Sequence, residues 1–329
     1  MNSVLIIDKP AGFTSHDVVN RVRRILRERS IGHLGTLDPM ATGVLPLVTG
    51  NLTRLAQFYT SSEKTYEGTI RFGFATDTYD ADGDATTTPQ EVHLRAAEVE
   101  ALAARFRGVI EQIPPPFSAK KIKGVPAYKL ARQQKEVILK SVQVEIKEFE
   151  ILAVEADRAR FRARVASGTY MRSVAHDMGR ELACGAHLES LRRTSVAEFT
   201  LDDSHTLDEV ANLCSHEVAN QNQCHPDRSF PPPKGTESGV SGPRVMEANG
   251  EVAATLEALF IHPRKLLPNL PAVTADEPTA ARIRSGRTVN LPDVSRAPQV
   301  KVFAGQRDLI AIATRVAGTL FHPKIVFCG

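Results

Sequence analysis

The segment Gly32–Leu47, GHLGTLDPMATGVLPL, constrains this chain more than any other stretch. It sets one carboxylate, Asp38, in a run of glycine and threonine, with His33 five positions before it. The apolar Val44–Val48 follows at once. A short apolar run bounded by turn formers reads as a strand. A strand can hold a neighbouring loop still, and loops held in this way carry catalytic groups. Gly32, Gly35 and Gly43 allow backbone angles and close approaches denied to other residues. Asp38-Pro39 alone would mean only a turn; the whole string, taken with segments downstream, means more.

A length of 329 residues predicts two domains, or one large and one small, and 42% apolar residues supply a sizeable core. The longest apolar stretches, Val44–Val48 and Leu309–Ala313, are too short to cross a bilayer. The start, MNSVLIIDKP, lacks the basic head and long apolar run of a secretion signal, so a cytoplasmic protein is expected. Cys184, Cys214, Cys224 and Cys328 form no Cys-x-x-Cys pair, and Cys214, His216, Cys224 and His225 match no familiar zinc spacing. No metal site is expected.

The net charge of +3 decides little, but its distribution decides more. Arg21, Arg23, Arg24, Arg27 and Arg29 share a stretch with Val18, Val22, Ile25 and Leu26 at helical spacing, with Thr14 or Ser15 to cap it. Ser118–Lys140 holds seven basic residues against Glu136 alone. Arg158, Arg160, Arg162 and Arg164 alternate with apolar residues, as on a strand with one basic face. Several such runs in a balanced chain predict a polyanion partner, nucleic acid above all.

Further strands are predicted at Val4–Ile7, Lys64–Phe72, Val142–Glu155, Arg158–Val165, Val300–Phe303, Leu309–Thr314 and Lys324–Phe327. Helices are predicted around Leu52–Tyr59, at Arg95–Phe106, Met171–Ala183 and Thr274–Arg284. Thr76–Gly83 reads as an acidic turn that lacks the ligand pattern of a calcium loop. The polar stretch of about residues 214–250 reads as an insert.

Five segments in order resemble the TruB family of bacterial tRNA pseudouridine synthases. They are Asp8-Lys9-Pro10 with Gly12 and Thr14-Ser15; Gly32–Leu47; Lys64-Thr65-Tyr66; Pro115–Gly124 with Tyr128 and Ala131-Arg132; and Gly168–Arg172 with Asp177 and Gly179. The last sixty residues resemble the small RNA-binding PUA module. The resemblance implies an α+β fold: a mixed, largely antiparallel central sheet flanked by helices, with a small β-barrel-like module appended. It implies a catalytic domain over 1–266 and the PUA-like domain over 267–329. The implied reaction turns uridine into pseudouridine at position 55 of the tRNA T-loop, without cofactor or obligate protein partner. Asp38 is implied as nucleophile, Arg172 as its cationic partner, and Tyr66 as the ring beneath the target base. His33, Lys9, Pro10 and Lys64 are assigned to the nucleotide and the pocket. Lys120, Lys121, Lys123, Tyr128 and Arg132 are assigned to clamping RNA. A tRNA-folding chaperone with secondary or lost catalysis is the alternative.

Overall fold

In the computed structural model, which describes residues 2–118, 121–122, 125–126, 139–223, 256–291 and 297–327, the strands predicted between Val4 and Val165 pair into one large sheet and those predicted after Val300 into a second. The chain opens with β1 (Val4–Lys9), α1 (Ser15–Leu26), β2 (Ile31–His33) and β3 (Thr42–Thr49). A 3₁₀ turn and the short α2 (Ala56–Tyr59) lead to β4 (Lys64–Phe72), α3 (Ala96–Arg105) and β5 (Gly108–Gln112). A small hairpin, β6 (Lys121–Ile122) with β7 (Val125–Pro126), precedes β8 (Val142–Glu155) and β9 (Arg158–Val165). Then come α4 (Met171–Glu181), β10 (Ala186–Val196), β11 (Phe199–Thr200), β12 (Ser204–His205) and α5 (Leu207–Gln223).

The large sheet runs β12-β1-β3-β10-β4-β9-β8-β5, with β2 beside β3 and β11 beside β10. A two-residue strand β13 (Phe260–Ile261) pairs with β1. Most pairings are antiparallel; β3 with β10 and β1 with β12 are parallel. A second, curled half-barrel follows: β14 (Ala272–Ala275), α6 (Glu277–Arg284), β15 (Val289–Asn290), β16 (Gln299–Ala304), β17 (Asp308–Ala317) and β18 (Leu320–Val326). No described helix is long and apolar enough to cross a membrane.

Local chemistry sets the boundaries. Thr14 caps α1 in a capping box with Asp17, a device worth about 1 kcal/mol. The helix stops at Arg27, which takes the left-handed conformation. The expected helix Thr274–Arg284 starts later, because Asp276 accepts from the Thr279 amide and Pro278 fills the first turn. Thr274 belongs to β14 instead.

The first strands are apolar throughout because both of their faces are covered. Leu5 and Ile7 of β1, with Leu45 and Leu47 of β3, meet Val18, Val22, Val174 and Met178 of the helical layer. Val4 and Ile6, with Val44 and Val48, meet Leu266, Phe303, Ile312, Ile325 and Phe327 of the half-barrel segment. The half-barrel keeps an interior of its own, with Ile283, Val300, Val302, Ile310 and Phe321.

The basic face predicted for β9 is largely neutralised. Arg158 is held by Glu189, Arg162 by Glu67, and Arg164 by Glu63 and Glu148. Neighbouring strands and the loop before β4 supply these carboxylates, so the arginine alternation marks a cross-strand ion-pair ladder and not an open polyanion surface. Arg160 is the exposed exception, and it lines a groove along the sheet.

Candidate active site

The loop between β2 and β3 is tied down from both sides. The Ser15 hydroxyl accepts from the Leu37 amide at 2.8 Å and donates to the Leu37 carbonyl at 3.2 Å. The Gly12 amide donates to the Pro39 carbonyl at 2.9 Å. Lys9 is wholly buried, and its ammonium donates to the carbonyls of Pro10, Phe13 and Pro39 at 2.9, 2.6 and 3.1 Å. With all three donors used, Lys9 is a fastener for the loop; burial holds its pKa down to about 8.

Arg172 enters from the first turn of α4. Gln112 at the end of β5 grips the residue before that helix, accepting from the Tyr170 amide at 2.8 Å and donating to its carbonyl at 3.1 Å. The Arg172 side chain is almost fully buried between two acids. One Nη meets Asp38 Oδ1 at 2.8 Å, and the other lies 3.4 Å from Asp80 Oδ2. The carbonyls of Thr78 and Phe117 take further donors at 3.1 and 3.0 Å. Three segments far apart in sequence thus converge on one guanidinium.

Asp38 borders a cavity of about 280 Å³ whose walls include Lys64, Tyr66, Tyr170, Leu191 and Arg193. A larger groove continues along the sheet past Leu191. Burial pushes the Asp38 carboxyl above the ordinary aspartate range; Arg172 opposes the push and Asp80 adds to it. The arginine expected as the cationic partner of Asp38 is in place, but burial outweighs its pull, and Asp80 competes for the same guanidinium.

Tyr66 on β4 and Arg193 on β10 are cross-strand partners. Lys64 donates to the Ser62 carbonyl at 2.6 Å, and burial beside Arg193 lowers its pKa to about 8.

Residues 23–171 match the family described as TruB family pseudouridylate synthase (N terminal domain), and 172–225 match the tRNA pseudouridylate synthase B C-terminal domain. A curated relative, tRNA pseudouridine synthase B of Solibacter usitatus (strain Ellin6076), is 44% identical over 99% of this chain and 100% of its own length. The chain belongs to the TruB family of tRNA pseudouridine synthases. The protein of the same name from Opitutus terrae (strain DSM 11246 / JCM 15787 / PB90-1) is 45% identical over 66% of this chain and 90% of its own. A solved Cbf5-Nop10-Gar1 complex contains a chain of like fold, with TM-score 0.67, 21% identity and coverage of 99% of this chain and 85% of that one.

Within this TruB-family site the structure brings Asp38, Arg172, Tyr66 and Lys64 to one cavity. Lys9 lies beneath the loop, and Pro10 lines a separate depression with Asp8 and Arg192. His33 is half-buried on β2 and is not part of the cavity wall; its Nδ1 accepts from the Gly35 amide, and burial lowers its pKa. Lys120, Lys123, Tyr128 and Arg132 lie outside the described residues, as does most of the 214–250 stretch. Lys121 falls in β6, but its side chain is likewise outside them. Sequence reasoning missed Asp80 and Arg193. Asp80 sits in the acidic turn read only as a loop, and its doublet of neighbours, Asp77 and Asp82, hid the one that turns inward.

Proposed function

We propose that this protein isomerises uridine 55 in the T-loop of tRNA, taking the everted nucleotide into the Asp38 cavity. The reaction breaks the bond from N1 of uracil to C1′ of ribose, turns the base, and rejoins it through C5, which gives up its proton while N1 takes one up. Atoms and electrons balance without oxidant or water. A nucleophile and a proton carrier suffice, and a carboxylate serves as the nucleophile. The observation that carries this reading is the 2.8 Å contact between Asp38 and a buried Arg172 at the mouth of a nucleoside-sized cavity.

Asp38 acts on the nucleoside as nucleophile, oriented by Arg172. The Tyr66 ring floors the cavity under the base, and its hydroxyl serves the late proton transfer. Eversion of a stacked base costs on the order of a few kcal/mol, which contacts to phosphates and displaced bases offset. The lysine-rich Ser118–Lys140 segment and the PUA-like half-barrel supply such contacts, reading RNA by shape.

The decisive test is pseudouridine mapping in unmodified tRNA transcript treated with wild type and with Asp38→Asn. The variant should form no product while binding tRNA within about threefold of wild type, a change worth under 1 kcal/mol. Full activity in the variant would refute the proposal, and so would an unmodified position 55 in transcript treated with the wild type.

A further inference from the structure

Arg193 is 1% exposed and sits in β10, a central strand of the large sheet. Among the described residues it meets no carboxylate within ion-pair distance. On the cavity wall Lys64 repels its charge and Asp38 attracts it, short of a direct ion pair. A buried, unpaired guanidinium is costly, and an apolar side chain of similar volume would fill the space at less expense. The charge is spent on loop backbone instead. Nε donates to the Val44 carbonyl at 2.8 Å, one Nη to Thr36 at 3.2 Å, and the other to Gly35 at 3.0 Å.

We infer that Arg193 is a positioning residue for the isomerisation: one rigid fork fixes the loop that bears Asp38 at the edge of the cavity. The inference rests on the reading of Asp38 given above. Three facts carry it. The acceptors Gly35 and Thr36 lie within three residues of Asp38. Val44, the third residue of β3, stands on the loop's other side. Arg193 pairs directly with Gly43 of the same strand. A planar guanidinium presents donors in fixed directions to several acceptors, whereas a lysine ammonium cannot span them. A loop carrying a nucleophile loses rate steeply with small displacements.

The test is steady-state kinetics on tRNA transcript with Arg193→Lys, alongside Asp38→Asn. Arg193→Lys should lower kcat at least tenfold and leave KM within about twofold. Hydrogen exchange over residues 34–41 should quicken in the same variant while the rest of the sheet keeps its protection. An unchanged kcat, a rise in KM alone, or unchanged exchange in the loop would overturn the inference. Failure of the underlying reading looks different, since Asp38→Asn would then remain active. Should Arg193→Lys not fold, Arg193→Gln serves, because its amide can still reach one loop carbonyl. Its kcat should again fall at least tenfold at unchanged KM, and an unchanged kcat overturns the assignment.

Discussion

At the scale of single residues, Asp38 is held in a state that works against stability. Its carboxyl is pushed upward by burial, so the folded chain holds that proton more tightly than the unfolded chain does. As the pH rises past the ordinary aspartate value of 3.8, ionisation of Asp38 costs folding free energy. Asp38→Asn should therefore melt a few degrees higher than wild type at pH 7 while losing activity, the trade-off expected of a functional charge. A lower melting temperature would contradict this. Arg172 opposes the upward push, so removing its charge should raise the Asp38 pKa further. Single-turnover rates against pH should place the acid limb of Arg172→Gln at higher pH than that of wild type, with at least a tenfold loss near neutrality. A limb in the same place would mean that Arg172 does not govern the ionisation of Asp38.

At the scale of elements, the close approach of β3 to β10 builds the site. Gly43 pairs with Arg193 and takes φ +101°; a Cβ there would lie 2.2 Å from the Arg193 carbonyl oxygen. Gly43→Ala should cost ~3 kcal/mol in denaturant titration and disable catalysis. Wild-type stability would show that the strands can part without harm. These contacts also show what a sequence can and cannot disclose. Val142–Glu155 and Arg158–Val165 are legible to the residue, because alternation is local and one face of each is apolar. The helix at Ala96–Arg105 is legible from an equally local signal, the helical spacing of Val99, Leu102 and Ala103. Ala186–Val196 went unread although it is central. Glu189, Arg192 and Arg193 break its pattern, and their partners lie in loops and strands far away: Arg158 for Glu189, Asp8 for Arg192, and loop carbonyls for Arg193. The β9 arginines were misread through the same blindness, because Glu67, Glu148 and Glu189 come from other strands and Glu63 from the loop before β4. Asp38 and Arg172 stand 134 positions apart. No local periodicity joins them, and only the resemblance of whole motifs to a family did so.

At the scale of the whole molecule, the half-barrel is bonded to the back of the catalytic sheet by a continuous apolar layer. Phe303, Phe327 and Leu266 pack with Val4, Ile6 and Val48. Polar clasps flank that layer. Glu198 takes the Tyr59 hydroxyl and the Leu267 amide at 2.5 and 2.8 Å, and Lys301 donates to the carbonyls of Arg264 and Leu266. Calorimetry should show one shared unfolding transition, and Phe303→Ala should lower all of it by ~3–5 kcal/mol. Two separate transitions, with only one moved by the variant, would show that the units fold apart. Under the proposed function, a seam sealed by a shared core puts the distortion needed to seat a nucleotide on the RNA, whose own pliancy becomes part of what is selected.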